Sequence, residues 1–409
     1  MEPSTQQPTL RLLRGKEKLP RHFHPWIFSG ALEPRDLLDL EPGLTWVKVV
    51  DYRGDFVGWG WPNKGSRIAI RLVSWQESEG PGTFSYQQAI EKALELRQRL
   101  GLLNAEGPTT AARLIFAEAD GLPGLVVDRF GDWLVVQFET RGCENHREPL
   151  VETLVRTARE SLPGLQGIIE KSDSDGRKLE GLAPRHGHLW GQSPVSMVDI
   201  RENGRVFRVD LESQKTGFYC DQRENREIVS RYCGGRRVID GCAFTGGFSV
   251  YAATAGAREL VVVDSSQRAL DVAKINLEIN PNPPEKIEYP NADVFSYFRN
   301  LEPRSQEVII FDPPKLATKR GTKDRAMKAY KDGNLHALRA LKPGGILATF
   351  SCSGLVSTPE FEQMIQYAVQ DSQRRVQVVQ HLSQAPCHPV PTSFPEASYL
   401  KGLVLRCLD

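Results

Sequence analysis

The segment RVIDGCAFTGGF, residues 237–248, reads as a buried strand that ends in a glycine-bearing turn and continues into a helix. Its apolar start predicts the strand, and the helix is expected to run on to Ala255. Gly246 and Gly247 allow the backbone to approach a ligand closely, and the start of a helix presents free amide donors. The segment lacks the spacing G-x-G-x-x-G and the Lys-Ser/Thr pair of a phosphate-binding loop, which disfavours a dinucleotide or a nucleoside triphosphate.

Strands alternate with helices from Val238 onward, which predicts a doubly wound parallel sheet. Asp264 ends an apolar run and could accept hydrogen bonds from two ribose hydroxyls there. Asp293 is expected at the end of the next strand, and Asp312 follows the strand that closes at Phe311. Ligands bind beyond the carboxyl ends of such strands, so these acids should share one edge. A helix cap at Asp264 and an ordinary turn at Asp293 are the alternatives.

Two short runs, FDPPK at 311–315 and FSCSG at 350–354, place a carboxylate and a thiol at strand ends. A cysteine that attacks a pyrimidine ring needs a nearby acid to hold or protonate the ring nitrogen. Each run alone also fits a strand exit or a buried cysteine. Their shared edge favours functional roles for Asp312 and Cys352. The order of glycine turn, ribose acid, third acid and Asp-Pro-Pro resembles that of S-adenosylmethionine-binding methyltransferases.

The composition limits the class of protein. The chain has 409 residues, enough for two or three domains, and its net charge of +1 means that nucleic-acid contacts must come from local basic patches. The seven cysteines form no CxxC pair or metal-ligand spacing, which favours free thiols and no metal site. Without a signal-like start or an apolar run of membrane-spanning length, we expect a soluble, cytoplasmic protein with no membrane contact.

The chain divides into three consecutive segments with different predicted secondary-structure patterns. Short predicted strands alternate with Gly and Pro turns in residues 1–80, which indicates a small β-barrel. An amphipathic helix predicted over residues 85–104 belongs to a central α+β segment, residues 81–205. Residues 206–409 carry the strand and helix alternation, so the predicted fold class is α/β. The barrel strands are predicted over residues 44–50, 56–61 and 67–73.

Further motifs lie along the whole chain. They are HPWIFSG at 24–30, EADGLPGLVVDR at 118–129, KTGFYCDQRENR at 215–226, TGGF at 245–248, DPPK at 312–315, YKD at 330–332, FSCSG at 350–354, FPE at 394–396 and YLKG at 399–402. Together they resemble the bacterial 23S ribosomal RNA large-subunit cytosine-5 methyltransferase family. That resemblance implies an amino-terminal RNA-binding PUA domain, a central α/β domain and a Rossmann-like methyltransferase domain. Cys242 and Cys387 depart from the family pattern, and His388 is given no catalytic role because no acid precedes it.

The resemblance implies S-adenosyl-L-methionine as the cofactor, Cys352 as the nucleophile and Asp312 as the group that holds the target base. Thiolate addition at carbon 6 of cytosine makes carbon 5 nucleophilic, and carbon 5 must later lose its proton so that the thiolate can leave. The base that takes this proton is not named by the sequence. Lys315 follows Asp-Pro-Pro where amine methyltransferases carry an aromatic residue, which disfavours N-methylation. The implied cofactor-binding residues are Lys215, Thr216, Phe218, Tyr219, Asp240, Phe244, Thr245, Gly246, Gly247, Asp264, Ser265, Asp293 and Val294.

Two basic stretches are expected to contact RNA phosphates. The stretch 315–331 contains seven basic residues and a single acid, Asp324, and is interpreted as a phosphate-binding loop; a second basic stretch covers residues 11–24. A solvated helix and a frayed terminus are the respective alternatives. Such contacts would position ribosomal RNA, either 23S or a large-subunit precursor, while a flipped base enters at Asp312. The predicted RNA-binding residues are Arg14, Lys16, Lys315, Lys319, Arg320 and Lys323.

Two other functions remain open at this point. One is methylation of a guanine in ribosomal RNA, for which Cys352 would be idle. The other is a non-catalytic RNA-binding assembly factor with the same fold. The sequence also leaves open the target nucleotide, the choice between free RNA and an assembling subunit, and whether the protein is a monomer or a homodimer.

Overall fold

The computed structural model describes residues 7–41, 43–193, 195–212, 217–317 and 320–409, without the side chain of Arg320. The chain divides into two compact units. Unit 1 contains the described residues of Met1–Ser196, Leu211–Gly217 and Cys387–Ala397, and unit 2 those of Met197–Asp210, Phe218–Pro386 and Ser398–Asp409. The three domains expected from the sequence, divided at residues 80 and 205, stay a prediction.

Unit 1 begins with β1 (Thr9–Arg11), α1 (Lys18–Arg21), β2 (Trp26–Phe28), α2 (Pro34–Leu38), β3 (Val47–Val50), β4 (Phe56–Pro62) and β5 (Ile68–Ser74). The strands form a five-stranded sheet of order β1-β3-β4-β5-β2. Buried aliphatic side chains such as Leu10, Val47 and Ile70 fill its core. The strands predicted near residues 56 and 67 are confirmed, whereas the first begins only at Val47.

The rest of unit 1 is built around a second five-stranded sheet of order β10-β9-β8-β7-β6. Its helix α3 begins after the Ser85 cap and ends at Arg99, short of the predicted residue 104, because Gly101 takes a left-handed conformation at φ 70°. The elements are α3 (Tyr86–Arg99), β6 (Ala111–Phe116), β7 (Leu125–Phe130), β8 (Trp133–Phe138), α4 (Arg141–Asn145), α5 (Arg147–Ser161), β9 (Gly167–Ser172), α6 (Asp175–Leu179) and β10 (Arg185–Gly191).

Unit 2 holds a hairpin and a large sheet flanked by helices. The hairpin pairs β11 (Met197–Glu202) with β12 (Arg205–Asp210). The remaining elements are α7 (Arg223–Ser230), β13 (Arg237–Gly241), α8 (Gly247–Thr254), β14 (Glu259–Val263), α9 (Gln267–Glu278), β15 (Lys286–Glu288), α10 (Val294–Arg299), β16 (Gln306–Phe311), α11 (Lys323–Ala340), β17 (Leu341–Ser351), α12 (Thr358–Ser372), β18 (Val376–Ser383) and β19 (Lys401–Cys407).

The large sheet has the order β15-β14-β13-β16-β17-β19-β18. Its first five strands are parallel, and β19 lies antiparallel between β17 and β18. Val261, Ile309 and Leu347 on three of the parallel strands are at most 1% exposed, so the apolar runs are buried as expected for a covered parallel sheet. The doubly wound arrangement is confirmed. It brings the carboxyl ends of β13, β14, β16 and β17 to one edge.

Two findings concern only the part of the chain that the structure describes. There, no helix is both long and apolar enough to cross a membrane. The same residues contain no group of three or more His, Cys, Asp or Glu side chains that could hold a metal ion.

Candidate active site

The turn after β13 is held tightly against neighbouring elements. Gly246 takes φ 77° and caps α8, and two residues with side chains, Cys242 and Phe244, are also left-handed at φ 62° and 49°. Such positions cost about 1–3 kcal/mol each and cluster at ligand sites. A Cβ on Gly247 would lie 2.6 Å from Nε of Arg226, so glycine is required there. The turn therefore packs closely against Arg226, and the backbone approach to a ligand expected from the sequence stays a prediction.

Asp264 follows β14 and is anchored by two backbone amides. Its Oδ2 accepts a hydrogen bond from the Phe244 amide and its Oδ1 one from the Ser266 amide, both at 2.9 Å. An ionised carboxylate offers about four acceptor positions, so two remain for a ligand. The helix cap considered as the alternative is absent, because Ser266 and not Asp264 caps α9. The ribose-binding role of Asp264 stays a prediction.

Asp240 is the buried acid of this turn, with 1% of its surface exposed. Ser249 donates a hydrogen bond to its Oδ2 at 2.6 Å, while Oδ1 is buried without a partner among the described residues. Burial raises the pKa of this carboxyl to about 6. An orphaned buried acceptor suits the ammonium group of a methionine-like ligand, so the turn fits the expected cofactor.

The other predicted cofactor residues fall into different environments. Buried Phe218 lies under the guanidinium of Arg226 at 4.5 Å, and Tyr219 packs edge-on against Phe244 with ring centroids 5.3 Å apart. Thr245 and Val294 are buried, whereas Ser265 is exposed. Lys215 and Thr216 lie outside the described residues.

The expected position of Asp293 at a strand end is wrong. Strand β15 ends at Glu288, and although Asn291 still bridges Asp264 in parallel register, Asp293 lies beyond this pairing and caps α10. Its Oδ1 accepts a hydrogen bond from the Ser296 amide at 2.9 Å. The exposed carboxylate keeps a free face, and its role toward the cofactor stays a prediction.

Asp312 follows β16 at the shared edge and is oriented by a chain of amides. Gln222 donates a hydrogen bond from Nε2 to Asp312 Oδ2 at 3.0 Å. Asn225 in turn donates to Gln222 Oε1 at 2.6 Å, which fixes the orientation of the Gln222 amide. Burial, and next the negative charge of Asp221, raise the pKa of Asp312 to about 7. This carboxyl is therefore protonated in a large part of the molecules at neutral pH.

The structure brings the thiol and the carboxyl motifs together. Cys352 is the first residue after β17 and is half-buried, and its sulfur lies 4.0 Å from the carbonyl oxygen of Pro313. Ser353 accepts a hydrogen bond from the Ala317 amide at 3.2 Å and lies 2.9 Å from the Tyr330 hydroxyl. The loop after Asp312 and the loop of Cys352 are thus joined at the sheet edge.

Lys401 is a residue of this site that sequence reasoning missed. It pairs with Ser351 across β19 and β17, and it is 6% exposed. Its ammonium donates to the carbonyl oxygens of Ser353 at 2.8 Å and Val356 at 2.5 Å. Burial lowers its pKa to about 8, and the neighbouring Cys352 thiol opposes that shift. Its place in the YLKG motif, residues 399–402, was the available signal, but the motif does not indicate a chemical role for the lysine.

The basic stretch near Asp312 is in part a helix, so its description as one phosphate-binding loop is wrong. From Lys323 onward it forms α11, where that lysine pairs with Glu360 of α12 at 2.6 Å and Lys331 pairs with Asp371 at 2.6 Å. Lys315 is exposed. The position of Lys319 and the side chain of Arg320 lie outside the described residues.

The amino-terminal basic stretch lies in unit 1 and is only partly available to a partner. Arg14 and Lys16 are exposed, and the guanidinium of Arg14 lies over the ring of Tyr52. Arg21 instead pairs with Asp51 at 2.7 Å. Phosphate contacts by Arg14 and Lys16 therefore stay a prediction.

Comparison with known proteins agrees with this architecture. Residues 144–405 match the family model of S-adenosylmethionine-dependent methyltransferases, and residues 10–75 match that of PUA-like domains. The protein SMU.776, crystallised in complex with S-adenosylhomocysteine, superposes with a TM-score of 0.82 at 21% identity, covering 97% of this chain and 99% of that one. At this identity the likeness establishes the fold. The chain is thus an S-adenosylmethionine-dependent methyltransferase with a PUA-like domain.

Two relatives specify the family. Ribosomal RNA large subunit methyltransferase I of Photobacterium profundum is 39% identical, over 96% of this chain and 98% of the relative. The protein of the same name from Shewanella denitrificans is 40% identical, over 97% and 98%. The chain belongs to the ribosomal RNA large subunit methyltransferase I family. The resemblance, fold class and cofactor expected from the sequence are confirmed.

Proposed function

We propose that this enzyme forms 5-methylcytosine in 23S ribosomal RNA through a covalent adduct between Cys352 and the target base. One observation carries the proposal: the Cys352 sulfur lies 4.0 Å from the carbonyl oxygen of Pro313, beside Asp312, whose burial raises its pKa to about 7. A nucleophile and an acid protonated near neutrality are the two groups that the chemistry at carbon 5 requires. Methylation of an amine or of a guanine nitrogen has no use for a thiol in that position.

The turn after β13, together with Asp240 and Asp264, would hold S-adenosylmethionine, which when bound supplies the electrophilic methyl group. Asp312 donates its proton to ring nitrogen 3, so that negative charge does not build up on the base. The Cys352 thiolate adds to carbon 6, and carbon 5 becomes the nucleophile that accepts the methyl group. Lys401 holds the Cys352 loop through two backbone carbonyls and places a positive charge near the thiolate.

The proposed partner is 23S ribosomal RNA or a large-subunit precursor, and the proposed location is the cytoplasm, where that RNA is found. Lys315, Arg325 and Lys328 are exposed and flank the Asp312 loop in sequence. Arg14 and Lys16 offer further exposed charge in the PUA-like segment. These cations suit backbone phosphates, which position RNA without reading its sequence.

Mass spectrometry of nucleosides from 23S ribosomal RNA tests this function. RNA from cells that lack the gene should lose one 5-methylcytosine, and the intact gene should restore it. A gene carrying Cys352→Ala should fail to restore it, while the matched variant Cys143→Ala, at a buried thiol of unit 1, should succeed. Loss of a methylated guanine in place of 5-methylcytosine would contradict the proposal.

A further inference from the structure

Asp221 is a buried carboxylate that the mechanism above leaves unused. It lies in the short 3₁₀ helix Cys220–Gln222 of unit 2 and is 8% exposed. Tyr399 donates its hydroxyl hydrogen to Asp221 Oδ2 at 2.5 Å. The other oxygen, Oδ1, is buried without a hydrogen-bond partner among the described residues. A buried carboxyl oxygen without a partner is costly, so its presence calls for an explanation such as a catalytic role.

The neighbours of Asp221 link it to both catalytic residues. On one side, the adjacent Gln222 donates a hydrogen bond to Asp312 Oδ2 at 3.0 Å. On the other side, Tyr399 lies next to Gly354, two residues beyond Cys352, since a Cβ on that glycine would be 3.9 Å from the Tyr399 Cβ. Asp221 therefore lies between the carboxyl that holds the base and the loop that carries the thiol.

The carboxyls of Asp312 and Asp221 are suited to opposite roles, one as proton donor and the other as proton acceptor. The negative charge of Asp221 contributes to the raised pKa of Asp312, which keeps Asp312 protonated. The Tyr399 hydroxyl donates a hydrogen bond to Asp221 Oδ2 and so leaves Oδ1 as the oxygen available to accept a proton. An acid and a base placed close together are what proton transfer to and from one substrate requires.

We propose that the Asp221 carboxylate is the base that removes the carbon-5 proton after methyl transfer. At that stage the ring carries the Cys352 sulfur on carbon 6, and carbon 5 carries both the new methyl group and its original hydrogen. Asp221 Oδ1 takes this hydrogen as a proton, and the electron pair of the broken C–H bond forms the double bond between carbons 5 and 6. The C–S bond breaks, its electron pair returns to Cys352 as thiolate, and the proton on ring nitrogen 3 returns to Asp312.

Other nearby groups are less suited to this role. Lys401 is committed to two carbonyl oxygens through its ammonium. Asp240 has an orphaned oxygen too, but it is only 1% exposed and lies at the end of β13 in the cofactor turn. Asp312 serves as the acid at ring nitrogen 3. The inference rests on the proposed function, since it requires the covalent adduct.

The proposed role of Asp221 is tested by following the covalent adduct between Cys352 and RNA that carries unmodified cytosine at the target. With isotopically labelled S-adenosylmethionine, Asp221→Asn should accumulate a denaturant-resistant complex between Cys352 and RNA that already contains the labelled methyl group. Release should slow by about 100-fold or more, the usual contribution of a general base. The matched variant Asp371→Asn, on the exposed surface of α12, should turn over normally without accumulating this complex. Calorimetry with S-adenosylhomocysteine checks that each variant is folded.

A second variant keeps the inference testable if Asp221→Asn does not fold. Asp221→Ala should also stall as the methylated adduct, and added formate should restore release by replacing the missing carboxylate. Normal turnover by either folded variant would overturn the assignment of the base. A variant that forms no adduct and transfers no methyl group would also overturn the assignment, because Asp221 would then act before methyl transfer. Failure of the wild-type enzyme to form any Cys352 adduct would instead reject the proposed function.

Discussion

Replacing Asp312 by Asn should stabilise the protein while it removes activity, and the gain should depend on pH. Asp312 is partly buried, and desolvation together with the negative charges of Asp221 and Asp240 raises its pKa from 3.8 to about 7. The hydrogen bond from Gln222 and the charge of Arg226 act in the opposite direction but are outweighed. Folding at neutral pH therefore forces an unfavourable carboxylate into the site, and asparagine has no such charge.

The size of the expected stabilisation follows from the raised pKa of Asp312. A rise in the carboxyl pKa from 3.8 to about 7 corresponds to about 4 kcal/mol, which is an upper value because the side chain keeps some contact with solvent. A raised carboxyl pKa means that the folded state binds the proton more tightly than the unfolded state. The free energy of unfolding of the wild type should then fall as the pH rises from about 4 to about 7 and level off above that. The advantage of Asp312→Asn should grow over the same range.

Calorimetric unfolding of both proteins at several pH values between 5 and 8 measures this effect. The melting temperature of Asp312→Asn should exceed that of the wild type by about 5 °C or more at pH 8, and the excess should shrink toward pH 5. Asp271→Asn, at an exposed position on α9, serves as the control and should show no such trend. A difference that stays constant across this range would refute the raised pKa of Asp312 and with it the acid role.

Three further outcomes are expected. Asp264→Ala should weaken binding of S-adenosylhomocysteine by about tenfold or more in calorimetry, since a hydrogen bond to a charged group contributes about 1.5–3 kcal/mol; unchanged affinity would remove Asp264 from the cofactor site. Changing exposed Lys315, Arg325 and Lys328 to Ala should lower the salt dependence of RNA binding by about 0.7–0.9 per lost contact, and an unaltered slope would place the RNA elsewhere. Lys401→Met should slow alkylation of Cys352 by iodoacetamide at pH 7, because the loop loses its anchor and the thiolate its nearby charge; alkylation at the wild-type rate by a variant that still binds cofactor would argue against this role.

The sequence predicted the fold of unit 2 well because its signals are local. The apolar runs before Asp264, Asp312 and Cys352 define parallel strands, and the topology of such a sheet brings their carboxyl ends to one edge. Asp293 was misplaced because the spacing of acids does not reveal where β15 ends. The basic stretch was misread because charge alone does not separate a loop from the exposed face of α11.

The rest of the site depends on contacts between distant parts of the chain. Lys401 reaches the Cys352 loop only because β19 inserts antiparallel beside β17. Gln222 and Asp312 lie 90 positions apart in the sequence, and Tyr399 and Asp221 lie 178 apart. Neither periodicity nor propensity carries such information, so the sequence could name Asp312 and Cys352 but not the groups that tune them.

The central claim is that Cys352 bonds to carbon 6 of the target cytosine, and trapping with a fluorinated base tests it most directly. Large-subunit ribosomal RNA that carries 5-fluorocytosine should form a stable complex with the wild-type enzyme in the presence of S-adenosylmethionine, because fluorine replaces the proton that must leave before the thiolate is eliminated. Peptide mapping of this complex should find the nucleotide on Cys352, and Cys352→Ala should give no complex while still binding cofactor and RNA. A nucleotide attached to any other residue, or methylation at the wild-type rate by Cys352→Ala, would contradict the account.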